Sequence, residues 1–274
     1  MAGSKARIIH QSNMPGDTHP LPRWLDKASG SLGFYSCNIA NSAATEAAFS
    51  DYPDRYKQSL RRIDHGIDWR PAQRTRAEVL AALGVPDDGP VILSCARLVP
   101  QKRLHVIVEA LALMPRGRCV VLGQGPERES LQALAARLGV AERLHLVGHV
   151  AHDRIHDIYA VSDIFAFPSE WETFGLAAVE ATMHGVPIVA NDLPALREVL
   201  RVGDGCIATL IARGQPADWA AALSRCEHGP AGAQERHGVR PAPAREVWHR
   251  ADARSLSHPL PRGRAMTTLY QFAH

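Results

Sequence analysis

The stretch IFAFPSEWETFGLAAVEATMHGVPIVA, Ile164 to Ala190, reads as strand, loop, helix and strand. Ile164 to Phe167 is a short continuous apolar run, Phe174 to His184 has helical character, and Val186 to Ala190 is a second apolar run. Two short apolar strands joined by a helix form a parallel pair, because antiparallel neighbours need only a hairpin. Strands that are apolar at every position, rather than at every second one, are covered on both faces.

The same unit repeats outward from this stretch. Val91 to Ala96 precedes Leu104, Ile107, Val108 and Leu111 at helical spacing, and Cys119 to Leu122 precedes Leu131, Leu134, Ala135 and Leu138. Leu144 to Val147 precedes a helix with Ile155, Ile158 and Tyr159. Downstream, a short helix is expected around Ala195 to Leu200, then Cys206 to Ile211 as a strand and a helix bearing Trp219, Ala222, Leu223 and Cys226. Alternating β and α elements predict an α/β protein built on a parallel sheet.

Residues 1 to 66 carry a weaker version of the pattern, with Arg7 to His10, Phe34 to Ala40 and Leu60 to Asp64 as strands and Ala43 to Tyr56 as a helix. A linker is expected near Asp64 to Pro71, so the chain divides into 1–66, 67–226 and an irregular tail, 227–274. The tail holds Pro230, Pro241, Pro243, Pro259 and Pro261 with few large aliphatics. Its composition is also what a shifted reading frame in GC-rich DNA produces.

Composition excludes several classes. With 31 Lys and Arg against 28 Asp and Glu, the net charge is only +3, which names no nucleic-acid partner. Arg55, Lys57, Arg61 and Arg62 read as a solvated helix face, with a membrane-surface or acceptor contact as the alternative. No window approaches the roughly 20 apolar residues of a membrane span, and no signal peptide is visible. A cytoplasmic location is expected, with peripheral attachment to the inner face of the membrane left open. The five cysteines lack a CxxC pair, and Cys95 and Cys119 read as small buried hydrophobes.

In an open parallel sheet, ligands bind beyond the carboxyl ends of the strands. The residues there are Arg97 and Lys102, then Gly123-Gln124-Gly125-Pro126, then Gly148-His149-Val150, then Pro168 to Leu176 running into a helix with Glu180. A departing diphosphate needs its charge met by a metal or by paired cations and backbone N–H groups. Arg97 and Lys102 are expected to turn inward together, facing the positive end of the helix that begins near Phe174. Glu172 and Glu180 are about 80° apart on an ideal helix, so Glu172 is expected in the loop and Glu180 two turns in, each able to accept from sugar hydroxyls. Gly123-x-Gly125 lacks the third glycine of a dinucleotide fingerprint. His145, His149, His152 and His156 read as surface histidines, with a base or sugar contact from the His149 backbone as the alternative.

Taken in order, Ala96 to Lys102, Leu122 to Pro126, the Glu-x7-Glu segment Pro168 to Glu180, and Gly185 to Ala190 resemble the retaining glycosyltransferases of family 4. The resemblance covers roughly residues 38 to 226. It implies a GT-B fold, with a complete C-terminal Rossmann-like domain and an incomplete, N-terminally truncated one before it. It implies transfer of a sugar from a nucleotide-diphosphate sugar to a sugar, polysaccharide or lipid-linked acceptor, with retention of configuration, no cofactor and no metal. Arg97 and Lys102 would bind the diphosphate, Glu180 the ribose, and Glu172 the donor sugar as the catalytic residue. Gly123 and the amides of Phe174, Gly175 and Leu176 would hold sugar and phosphate, and the backbone at Val150 the base.

Two readings of function stay open: an active glycosyltransferase, and a catalytically inactive remnant that binds a nucleotide sugar. The closing part of the acceptor domain, Asn41-Ser42 and Arg62 to Asp68, is similar to the family's run into the linker. The segment 1–66 is expected to leave a sheet edge and apolar faces uncovered.

Overall fold

A computed structural model describes residues 6–67, 69–202, 205–212 and 214–227. The tail expected to be irregular lies outside these residues. Two parallel sheets organise the chain. The first holds β1 (Ile8–Gln11), β2 (Cys37–Ala40) and β3 (Leu60–Arg62) in the order 1-2-3, with α1 (Pro20–Ser31), α2 (Ala43–Ala47) and α3 (Asp54–Ser59) between the strands. Residues 63–67 and 69–75 carry no helix or strand and lead to the second sheet.

That part begins with α4 (Arg76–Leu83), β4 (Val91–Cys95), α5 (Leu104–Leu113), β5 (Arg118–Leu122), α6 (Arg128–Arg137) and β6 (Leu144–Gly148). It continues through α7 (His152–Val161), β7 (Ile164–Phe167), α8 (Leu176–Met183), β8 (Ile188–Asn191) and α9 (Pro194–Val199). A small antiparallel pair, β9 (Arg201–Val202) and β10 (Gly205–Cys206), precedes β11 (Ala208–Ile211) and α10 (Pro216–Glu227). The six-stranded order is 11-8-7-4-5-6, parallel throughout.

The strands of the six-stranded sheet are mostly apolar on both sides because both faces are covered. Val91, Leu93, Val120, Leu122, Phe165, Phe167, Ile188 and Ala190 point into one core with α4, α7, α8 and α9. Ile92, Cys119, Val121, Ile164, Ala166 and Val189 point into the other with α5, α6 and α10. This is the period-2 alternation of a pleated strand, with an apolar layer on each side. On the second face, Trp219 of α10 is fully buried.

Local differences from expectation have local causes. The helix expected over Ala43 to Tyr56 is two helices, α2 and α3, because Pro53 disfavours helical geometry in the residue before it and restarts the helix as a cap. α4 opens on a capping box in which Thr75 and Glu78 satisfy each other's backbone N–H groups. Helix α1 starts with Pro20 and Pro22 in its first turn. Leu21, Trp24 and Leu25 of α1 are exposed, as are Ile8, Leu32 and Phe34, so the first sheet does leave apolar groups uncovered. Its own core is the small cluster of Ala40, Phe49, Tyr52, Tyr56 and Leu60. Among the described residues no helix is long and apolar enough to cross a membrane.

Trp219→Ala should cost about 3 to 5 kcal/mol, the range for deleting a fully buried aromatic ring. Urea unfolding at matched m-value checks it.

Candidate active site

The strand order reverses between β4 and β7. From β4 the chain steps to β5 and β6 on one side, then crosses back through α7 to place β7 on the other side. After β4 the chain enters α5, in the second core, and after β7 it enters α8, in the first. The two loops therefore part at the carboxyl edge and open a crevice there. Lys102 stands on one lip, at the end of the 3-10 turn Pro100–Lys102, and Glu172 stands on the other.

These two side chains meet. Lys102 Nζ and Glu172 Oε1 form a direct ion pair with only 15% and 12% of their side chains exposed, and the ammonium also lies 5.9 Å from the Phe167 ring centroid. Arg97, expected to turn inward beside Lys102, is exposed in the same loop. Lys102, the more buried of the two, meets its charge on the nearest carboxylate, while an exposed guanidinium keeps its hydration.

Glu180 lies about one turn into α8 rather than the two expected, because the helix starts at Leu176, and its Oε2 accepts a hydrogen bond of 2.9 Å from the Tyr159 hydroxyl of α7. Burial raises its carboxyl above the usual range, opposed by that hydrogen bond and by the charge of His152. Cys95 lies at the end of β4, and its thiol is pushed up to about 11 by burial first and then by the charge on Glu180, with Tyr159 and Lys102 acting in the opposite sense. Cys95 thus lies within electrostatic reach of both Glu180 and Lys102, beneath the crevice.

The glycines let the loops close on one another. Gly123 has φ +133°, and a Cβ there would lie 2.0 Å from the Ala96 carbonyl oxygen. Its N–H donates to Gly148 O, and Leu98 N–H donates to Gln124 O, which sews the exits of β4, β5 and β6 together. Gly175, at φ +89°, is the residue before α8, and a Cβ there would meet Leu196 at 2.5 Å. The helix expected from Phe174 therefore starts at Leu176. Phe174 is buried, Leu176 is exposed, and Val150 is half-buried beyond β6.

Val150 also borders a cavity of about 240 Å³ between α4, α7 and the end of β6, together with Arg74, Leu83, His149 and Arg154. Of the four histidines read as surface residues, His156 is buried, its Nδ1 3.1 Å from His184 Nε2. His184 stacks on Tyr159, and burial, with His156 second, pushes its imidazole down to about 4.

The first sheet brings residues that sequence reasoning missed. At the carboxyl end of β1, a cavity of about 180 Å³ is lined by His10, Gln11, Asn13, Thr18, Arg23 and Asp26 among others. Asp26 accepts from the hydroxyls of Tyr35 and Tyr56 at 2.8 and 2.7 Å, and the Gln11 amide donates to Asn38 Oδ1 and Tyr56 Oη at 3.0 Å each. His10 packs edge-on against His65, which packs edge-on against Phe174 of the second part. His10 closing a strand was the available signal; Asp26 and the tyrosines converge only in three dimensions.

The family described as "Glycosyl transferases group 1" matches residues 75–240, more than half of the chain. The chain belongs to this family. Among curated proteins, this group 1 member is 35% identical over 199 residues to a D-inositol 3-phosphate glycosyltransferase of Nocardia farcinica, covering 68% of this chain and 43% of that one. A D-inositol 3-phosphate glycosyltransferase of Xylanimonas cellulosilytica is 32% identical over 268 residues, covering 92% of this chain and 63% of its own length. The chain thus spans about two fifths to two thirds of these relatives. Anabaena HepE in complex with UDP and glucose superposes with a TM-score of 0.73 at 22% identity, covering 89% of this chain and 67% of that one. Sucrose-phosphate synthase from Thermosynechococcus elongatus gives 0.73 at 21% identity, covering 90% and 65%. These likenesses show the GT-B fold of two Rossmann-like sheets.

Two predictions follow from the packing and the buried carboxyl. Gly123→Ala should destabilise the chain by about 2 to 4 kcal/mol, since both a left-handed φ and a backbone carbonyl oppose the methyl group; thermal unfolding tests it. Because Glu180's pKa is raised on folding, the native state holds that proton more tightly than the unfolded chain, and stability falls as pH rises above the ordinary carboxyl range. Glu180→Gln should therefore be more stable than the parent near pH 7 and lose that advantage near pH 4, by urea midpoints at both values.

Proposed function

We propose that the six-stranded part of this group 1 glycosyl transferase binds a nucleotide-diphosphate sugar at the β4/β7 crevice and presents it for transfer with retention of configuration. The meeting of Lys102 and Glu172 across the crevice carries this reading, because it puts one cation and one carboxylate where a sugar diphosphate needs both. In the reaction, negative charge grows on the diphosphate as its bond to the sugar carbon breaks. Lys102 and Arg97 meet that charge, with the amides of Gly175 and Leu176 at the N-terminus of α8. Glu172, released from Lys102, accepts from sugar hydroxyls beside the reacting carbon, and Glu180, oriented by Tyr159, accepts from the ribose. Gly123 gives the phosphates close backbone access, Phe174 braces the loop, and the backbone at Val150 meets the base. No metal or cofactor enters this scheme.

UDP is the nucleotide to test first, since the HepE complex holds UDP and glucose. The cavity at the end of β1 is the acceptor pocket in this reading. Its Arg23, Gln11 and Asp26 suit a hydroxyl-rich, phosphorylated acceptor, the chemistry that the name D-inositol 3-phosphate glycosyltransferase describes in the relatives.

Calorimetry of the 274-residue chain with UDP, GDP and their glucose and mannose esters tests the reading. Lys102→Ala should weaken nucleoside diphosphate binding by about 1 to 3 kcal/mol, the scale of a charge-assisted hydrogen bond. Glu172→Gln should tighten UDP itself, because Lys102 no longer has to leave a carboxylate, while weakening the sugar ester relative to UDP. Unchanged affinities in both variants would remove the pair from the site.

A further inference from the structure

The donor loop is held from both parts of the molecule. Its first half is anchored within the six-stranded part: Asn191 donates to the carbonyls of Pro168 and Ser169 at 2.6 and 2.9 Å, and Gln101 donates to Trp171 O at 3.0 Å. Glu170 N–H also donates to Gln101 O at 2.8 Å. Beyond Glu172 the anchors change. The Thr173 carbonyl accepts from the Ser42 hydroxyl at 2.6 Å, with the Thr45 hydroxyl 3.1 Å away and shared with Asn41 Oδ1 at 3.0 Å, and the Thr173 Oγ1 accepts from the Asn41 amide at 3.0 Å. All three donors lie just after β2 of the first sheet, and all of these atoms are buried.

A second tie fixes the same junction. Both carboxylate oxygens of Glu198, on α9, accept from the backbone N–H groups of Ala43 and Ala44 at 2.8 Å. Those are two of the N–H groups that the start of α2 leaves without helical partners. Ser42, the residue before α2, also caps it by accepting from Thr45 N–H. The start of α2 is thus gripped by α9 and grips Thr173 in turn.

We infer that Asn41, Ser42 and Thr45 are positioning residues for Glu172, so that the first sheet sets the geometry of the donor carboxylate. This rests on the donor-site reading above. Glu172 sits between Trp171, tied to the six-stranded part, and Thr173, tied to the first sheet. A rotation of the first sheet about the segment that joins the two sheets must either carry Thr173 with it or break the buried hydrogen bonds from Ser42 and Asn41. Breaking them would leave the buried Thr173 carbonyl without its hydroxyl donors, which is costly, so the loop follows the sheet. Any ligand that shifts the first sheet thereby shifts the carboxylate facing the donor sugar, a direct mechanical route from acceptor to donor.

The test uses the full chain carrying Ser42→Ala and Thr45→Ala together, with Ser42→Thr and Thr45→Ser as variants that keep the hydroxyls. Hydrogen exchange is followed in peptides spanning 168–176, with peptides from β4 and β5 as the control. Exchange in the loop should speed up about tenfold in the double alanine variant, the scale of one or two lost hydrogen bonds, and return to the parent rate with the conservative pair. The control peptides, unmoved, exclude general unfolding. UDP affinity should stay within about twofold while the added affinity of UDP-glucose over UDP disappears.

Unchanged loop exchange, or equal losses for UDP and UDP-glucose, would overturn the inference. If the parent chain binds neither compound, the donor-site reading falls instead, and the exchange rates alone decide whether the clasp holds the loop. Should the double variant fail to fold, Asn41→Ala read by the same exchange replaces it.

Discussion

The reversal of strand order between β4 and β7 governs the rest of this structure. A chain that adds strands to one side of β4 and then returns to the other must send the helices after β4 and β7 to opposite faces, since crossovers keep one hand. Nothing can then fill the space between the two loops at the carboxyl edge. Lys102 and Glu172 occupy its two lips for that reason, although 70 residues separate them. The crevice is a consequence of connectivity, and the glycines at 123, 125 and 175 let neighbouring loops press close enough to define its walls.

Charge balance within that crevice is settled internally. An unpaired ammonium or carboxylate at such burial carries a heavy desolvation cost, and the attraction within the Lys102–Glu172 pair offsets part of it for both groups. Under the proposed function, the pair is also the first thing a donor must rearrange: phosphate takes over Lys102 while sugar hydroxyls take over Glu172. A ligand offering only one of these replaces half of the balance. Discrimination between a sugar nucleotide and its free nucleotide can arise from this exchange, because specificity is a difference between two binding free energies.

The first sheet is small, with five buried apolar residues in its core and a row of exposed apolar groups on α1 and beside β1. It is joined to the other part by hydrogen bonds at Thr173 and Glu198. Hydrogen bonds of this kind fix orientation, whereas apolar contacts tolerate sliding. The junction between the sheets is accordingly a place of defined geometry, set directly beside the donor loop.

The fold class was legible in the sequence, and so was the placement of Lys102 and Glu172 at the carboxyl edge of the sheet. Runs such as Val91 to Leu93 and Ile164 to Phe167 are apolar at consecutive positions rather than at every second one, which a sheet covered on both faces explains. Residues just after a strand fall at the carboxyl edge by chain direction alone, so Lys102, Gly123, Val150 and Glu172 could be named without coordinates. Helix boundaries at Pro53 and Gly175 were less legible, because a single φ angle decided them. Contacts between distant segments were decided by tertiary structure alone. The Lys102–Glu172 pair, the Tyr159 hydroxyl on Glu180, the gathering of Asp26 with Tyr35 and Tyr56, and the clasp of Ser42 and Thr45 on Thr173 each join residues with no common periodicity. Periodicity reports which face of an element is buried; which partner lies across that face depends on how the elements stack, and that is set by the whole chain at once.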